Sequence, residues 1–468
     1  MANRMNQNDT VFALPLQVYN GSLGIGGESR RRLYETSKIT PLYRGFGTHY
    51  AFMWVGSPPQ RVSVIADTGS HYTAFPCAGC NCGKHMDALF DPKKSKTSQV
   101  ITCHSMGGTC NFQQSYSEGS SWRAHKVIDE VWVGGSTATM VPGGAKLATK
   151  FTFGCMQSET GLFRNQIVDG IMGMSAAPDT LIFKLFDNKV LKTRAFSMCF
   201  KVNGGVLTLG GLDERLNHSP MQYVKLLKPK GWFTVRLLEV AMIARGNIGN
   251  DSSVINGKYN SSSTGTGYVQ RAIKTPISTY NTGKGTIVDS GTTDSYLPAT
   301  VSRYFNAIFK QLSGGISYHN KIQTVTPEQF QKLPILLFTM EGVDGNPVTI
   351  EMPPESYAES AGKDKYGFRV YVNEPSGTVL GANFMNNYNI HFDIENRKLG
   401  ISKSVCKYDS IVTVDDKNRR ADEEADLLFD KSGELKKKIN ERKKKRNKAK
   451  RKPSFNNAKL NVSSGRIK

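Results

Sequence analysis

From His49 onward the chain alternates short apolar runs with turn signals. Tyr50–Gly56 (YAFMWVG) leads through Pro58, Pro59 and Gln60 into Arg61–Ser70 (RVSVIADTGS), which spells strand, turn, strand. The pattern returns at Val127–Gly135, Lys150–Cys155, Gly205–Gly211, Trp232–Ala244, Gly285–Gly291 and Lys398–Ser402. Leu333–Met340 (LPILLFTM) is the longest tempting apolar run. It falls far short of the roughly 18 residues that a membrane-spanning helix needs, and is expected to be a buried strand. Helical spacing is clear only at Ala299–Leu312, directly after Pro298. The expectation is an all-β chain with helices as accessories.

At 468 residues the chain exceeds what one hydrophobic core organises, so two domains with appendages are expected. Residues 1–45 are polar, carry Arg30, Arg31 and Arg32, and read as a leader or pro-segment. Residues 46–211 and 212–406 read as two β lobes, the second interrupted by a Gly/Ser/Asn-rich surface insertion at 246–267. Residues 407–468 hold 20 Lys/Arg against 10 Asp/Glu, so nearly half of the net charge of +22 sits in a tail expected to be disordered and solvated. Such a tail could engage an acidic membrane surface. The lobes themselves give no reason to expect nucleic-acid binding.

The chemistry lies in an internal repeat. Val64–Ser70 (VIADTGS) and Ile287–Thr292 (IVDSGT) are each an apolar strand that ends in Asp, a hydroxyl residue, Gly and a second hydroxyl residue. Asp67 and Asp289 emerge where their strands stop, and Gly69 and Gly291 permit the tight turn. Thr68 and Ser290 follow the two aspartates, while Ser70 and Thr292 are spaced to reach back to one carboxylate oxygen each. Each half then carries an apolar–Gly signature downstream, ending at Gly173 (DGIMG) and at Gly381 (TVLG). One such motif is weak evidence. Two, in separate halves and each with its partner, point to a carboxylate pair. Were two such carboxylates brought to about 3 Å, they could not both ionise; they would share a proton, one serving as base and the other as acid. No metal, cofactor or Ser/Cys nucleophile is called for.

These motifs make residues 45–406 resemble the pepsin-like aspartic proteases. The resemblance implies a bilobal β fold with the active cleft between two pseudo-two-fold-related lobes, Asp67 and Asp289 as the catalytic dyad, and Ser70 and Thr292 as its support. It implies that Tyr116-Ser-Glu-Gly119-Ser120 is the flap, that Gly173 and Gly381 end the ψ loops beneath the aspartates, and that Phe392–Ile401 is a closing hairpin. The implied activity is aspartic-type endopeptidase action on polypeptides by a monomer. The rival is a catalytically inactive pepsin-fold binding or inhibitor protein, which intact motifs at both aspartates disfavour.

Two departures matter. Many members place Trp seven residues after the first Asp, where it bonds the flap tyrosine. Ala74 stands there, leaving the resting partner of Tyr116 open. Pepsin has an Asp after the second signature glycine, whereas Ala382 stands here, which implies a working pH milder than pepsin's.

Cys77, Cys80, Cys82, Cys103 and Cys110 crowd between the first Asp and the flap, with Cys155, Cys199 and Cys406 beyond. This insert resembles those of plasmepsin V-like and nepenthesin-like members. Cys77-x2-Cys80-x-Cys82 beside His85 also fits a zinc knuckle, but the even count favours disulfides and a secretory compartment. By resemblance to beta-secretase, Cys199 pairs with Cys406; the pairing of the other six stays open. The sequons at Asn8, Asn20, Asn217, Asn250, Asn260 and Asn461 are compatible with export, although no signal peptide or membrane anchor is visible. Since the tail lies outside both lobes, truncation after residue 407 is expected to leave peptidase activity within about twofold. Loss of folding or activity in that truncated chain would contradict the division.

Overall fold

The computed structural model describes residues 38–44, 48–103, 108–134, 148–202, 204–228, 230–244 and 269–406. The insertion at 246–267, the basic tail and residues 1–37 lie outside them, as do all the sequons but Asn217.

In the first half, His49–Val55, Gln60–Asp67, Gly170–Gly173, Ala74–Asn81, Thr149–Thr160 and Ser121–Gly134 pair in that order. Ser121–Gly134 also pairs back onto His49–Val55, closing a ring of six strands. Closure removes the exposed edges and lets alternate side chains fill the interior, here with Met53, Val64, Phe75, Val131 and Phe153. The second half is built from two main sheets. One runs Thr234–Val235, Thr286–Val288, Thr378–Leu380, Ser295–Pro298 and Val370–Glu374. The other runs Gln270–Ala272, Leu237–Ile243, Ile335–Glu341 and Pro347–Met352.

Both halves lend strands to a common floor. Ala195–Lys201 pairs with Gly204–Leu209 on one side and with Tyr388–Asp393 on the other, and the latter forms the expected closing hairpin with Lys398–Lys403. Phe196 and Phe392 stack across this seam with ring centroids 4.7 Å apart, and Cys199 is bonded to Cys406 over a separation of 207 residues. The expected strands and the expected helix are present. The helix begins as a 3-10 turn at Ala299–Val301 and continues as Ser302–Leu312, with Phe305 and Phe309 buried. Lys38–Arg44, within the segment expected to be a leader, is a strand between Gly204–Leu209 and His49–Val55. Two open strand edges recruit this backbone, a choice that its mixed composition does not announce. Among the described residues no helix is long and apolar enough to cross a membrane.

The floor contains a buried base, His391. His391 has Nδ1 3.4 Å from the Tyr223 hydroxyl and an Nε2 without a hydrogen-bond partner among the described residues. Burial pushes its imidazole down to about 4, outweighing the pull of the Asp393 carboxylate. An unfolded chain takes up that proton near pH 6.5. Stability is therefore lost as pH falls from about 6.5 to 4, by an amount on the order of 3 kcal/mol. Replacing His391 with Gln should flatten this limb in melting curves recorded from pH 7 to pH 4.5. An unchanged slope would refute the assignment.

Candidate active site

The strand Gln60–Asp67 ends on its aspartate, and the strand Thr286–Val288 delivers Asp289 one residue later. Each is flanked in parallel by its glycine-ended partner. Gly173 stands in register with Asp67, and the Asp289 amide donates to the Leu380 carbonyl at 2.9 Å, next to Gly381.

The two turns are locked by reciprocal hydrogen bonds. The Thr68 amide donates to Ser290 Oγ at 3.0 Å, and the Ser290 amide donates to Thr68 Oγ1 at 2.9 Å. Thr68 Oγ1 in turn donates to the Val288 carbonyl at 3.0 Å, and Ser290 Oγ donates to the Ala66 carbonyl at 2.7 Å. Both hydroxyl residues are fully buried, so each lost bond would strand a partner, at about 1–3 kcal/mol.

This clamp sets the two carboxylates side by side. An added Cβ on Gly69 would stand 2.5 Å from Asp289 Oδ1, and one on Gly291 would stand 2.2 Å from Asp67 Oδ1, so no larger residue fits either position. Each aspartate is held alike by its own turn. The Gly69 amide donates to Asp67 Oδ1 at 2.7 Å and the Gly291 amide to Asp289 Oδ1 at 2.9 Å. The Ser70 hydroxyl donates to Asp67 Oδ2, and that of Thr292 to Asp289 Oδ2 at 2.6 Å. Burial and the neighbouring Asp289 hold the Asp67 carboxyl well above the usual carboxylate range. Like charges brought together in a buried site repel strongly, which disfavours ionising both carboxylates at once.

The segment Asn111–Ser115 and the start of Ser121–Gly134 form a hairpin over this site. At its tip the Gly119 amide bonds the Tyr116 carbonyl at 3.0 Å, and Gly119 adopts φ +91°, which suits glycine. Burial and the charge of Asp67 raise the Tyr116 phenol, keeping it a neutral donor. Its hydroxyl accepts from Trp122 Nε1 at 3.1 Å, while its ring packs on Phe163 at 5.2 Å.

Trp122 is the residue that sequence reasoning missed. It takes the place left vacant by Ala74, coming from the flap's own return strand. The available signal was a tryptophan six residues after Tyr116, legible only once the hairpin is folded.

The cysteines pair as Cys77–Cys155, Cys80–Cys82, Cys103–Cys110 and Cys199–Cys406. The sulfurs that a zinc knuckle would require are therefore taken up in disulfides, Cys77 with Cys155 and Cys80 with Cys82. His85 instead donates to Glu159 at 3.0 Å in an enclosed ion pair, which joins the insert to the strand opposite Trp122.

A bilobal β fold with two mutually clamped Asp–hydroxyl–Gly turns and a tyrosine-bearing hairpin above them defines the aspartic-protease class. Residues 48–404 match the sequence pattern of eukaryotic aspartyl proteases, and the chain belongs to that family. It is similar to Aspartic protease 5 of Toxoplasma gondii, 34% identical over 226 residues covering 42% of this chain and 23% of that protein. It is also similar to Plasmepsin V of Plasmodium falciparum, 32% identical over 173 residues covering 34% and 28%. The matched stretches thus span about a quarter of those two relatives. Similarity to Aspartic proteinase 36 of Arabidopsis thaliana is lower, 24% over 425 residues, but covers 83% of this chain and 77% of that protein.

Trp122→Phe should keep the fold while removing the indole donor to Tyr116. A fall in kcat/KM of about tenfold, with a melting temperature within a few degrees of wild type, is expected for the loss of one such bond. Unchanged kinetics would show that the flap does not use it.

Proposed function

We propose that this chain is an endopeptidase that cuts polypeptides with Asp67 and Asp289 acting as a shared-proton pair. The observation that carries this reading is the reciprocal Thr68–Ser290 hydrogen bonding, which sets two buried carboxylates against each other. The ionised member takes a proton from a water held between them, making it the nucleophile. The protonated member donates to the carbonyl oxygen of the bond under attack. Proton return to the amine then releases the products. Tyr116 closes over the bound peptide, excludes solvent and offers its hydroxyl near the reacting carbonyl.

Four disulfides support work in an oxidising, secretory compartment. Ala382 beside the second turn and the acid-sensitive His391 both favour a milder working range than pepsin's. The alternative, an inactive pepsin-fold binding protein, predicts binding without turnover.

The deciding experiment is peptide-library cleavage across pH 2 to 7, with Asp67→Asn, Asp289→Asn and pepstatin as controls. Each substitution should lower kcat by at least about a thousandfold while leaving the melting temperature close to wild type. Activity surviving either change would overturn the dyad, and a maximum near pH 2 would overturn the milder range.

A further inference from the structure

Gly69 is glycine of necessity, because the Asp289 carboxylate fills the space that a Cβ would need. The same missing side chain gives its backbone the widest freedom, at a point where the Asp67 turn must not drift. Two peptide planes meet there. The one before Gly69 carries the amide that donates to Asp67 Oδ1 at 2.7 Å. The one after it carries the Gly69 carbonyl and the Ser70 amide, and leads to the hydroxyl that donates to Asp67 Oδ2. Within the turn this second plane is weakly restrained, since the Ser70 amide reaches the Asp67 carbonyl only at 3.4 Å.

The missing restraint comes from the second half. Trp232 Nε1 donates to the Gly69 carbonyl at 2.8 Å, although the residue is 39% exposed and is not needed to fill a core. The aim of this side chain is set by its surroundings. The Gly231 carbonyl accepts from the Ala176 amide at 2.8 Å, in the segment that follows Gly173. His71 lies against the indole with ring centroids 6.5 Å apart, and its own Nδ1 is 2.6 Å from Ser175 Oγ. Beyond the tryptophan, the Val288 amide donates to the Phe233 carbonyl at 2.9 Å, and Thr234–Val235 pairs with the strand that delivers Asp289. One short segment, residues 231–235, thus flanks the Asp289 strand and reaches the Asp67 turn.

We propose that Trp232 is a positioning residue for Asp67: its indole N–H, delivered from the second half, fixes the peptide between Gly69 and Ser70 and so holds both donors on the carboxylate. This bond acts at a different point from the Thr68–Ser290 clamp, which grips the residue before Gly69 and does not touch the carbonyl after it. Donors held on an ionised carboxylate favour the charged form, so slack at Gly69 makes Asp67 harder to ionise. Slack also costs rate directly, because an acid or base displaced from its working geometry acts less often. The assignment rests on Asp67 and Asp289 being the reacting pair.

The test compares the full chain with Trp232→Phe and with Trp232→benzothienylalanine, an isostere that keeps the ring shape and removes only the N–H. Loss of one partly exposed bond should lower kcat about fivefold, with KM within about twofold and a melting temperature within a few degrees of wild type. The acid limb of the kcat profile should move to higher pH by about half a unit, because the pair then gives up its first proton less readily. A raised KM with unchanged kcat would make Trp232 a substrate contact. A lowered melting temperature with kcat and the acid limb unchanged would make it a support of the fold. Either result overturns the assignment, and should Trp232→Phe fail to fold, the isostere decides. Absence of turnover by the wild-type chain overturns the peptidase reading instead. Carbon NMR titration of aspartate-labelled protein then decides the positioning, with Asp67 identified by loss of its signal in Asp67→Asn. Its midpoint should rise in the Trp232 variants, and an unchanged midpoint overturns the proposal.

Discussion

Everything at the centre of this molecule follows from the cost of placing two carboxylates together in a buried site. Left to themselves, Asp67 and Asp289 would repel and drive the turns apart. Opposing this are backbone-anchored hydroxyls that cross from one half to the other. Thr68 and Ser290 each accept from the opposite turn's amide and donate to a carbonyl on the opposite strand. Because all these groups are buried, the clamp forms completely or leaves several polar atoms stranded. That makes the arrangement rigid, which suits a site whose acid and base must not drift.

Rigidity at the turns is passed outward through strands. The parallel partners Gly170–Gly173 and Thr378–Leu380 brace each aspartate from its own half. The floor built from Ala195–Lys201 and Tyr388–Asp393 joins the halves, with Cys199–Cys406 at its end. The hairpin carrying Tyr116 lies over the pair, with the Tyr116 hydroxyl on Trp122 and its ring on Phe163, and with Phe112 packed on Tyr72 and Trp122. A hairpin over a fixed pair is a physical means of keeping water away from it.

Charge placement separates the parts of the molecule by pH. The dyad needs one proton, whereas His391 in the floor must remain without one. Burial serves both demands, raising the Asp67 carboxyl and lowering the His391 imidazole.

The strands, the helix at Ala299–Leu312 and the two Asp turns were legible in the sequence. Period-2 alternation and a repeated short motif are local signals that survive without knowledge of partners. The interruption at Gly246 and the change of composition after Cys406 were equally local, though their structure lies outside the described residues. What depends on distant partners was hidden. Lys38–Arg44 became a strand because two sheet edges lay open beside it, and Trp122 replaced the tryptophan absent at Ala74 because a hairpin folded it back onto Tyr116. The pairing of Cys77 with Cys155 likewise required register between strands far apart in sequence. Sequence alone marked Asp67 and Asp289 as the candidate acid and base, since that chemistry needs particular atoms at the ends of particular strands. Tertiary structure decided which of those groups meet, since contact across a sheet depends on register and closure, which no local pattern encodes.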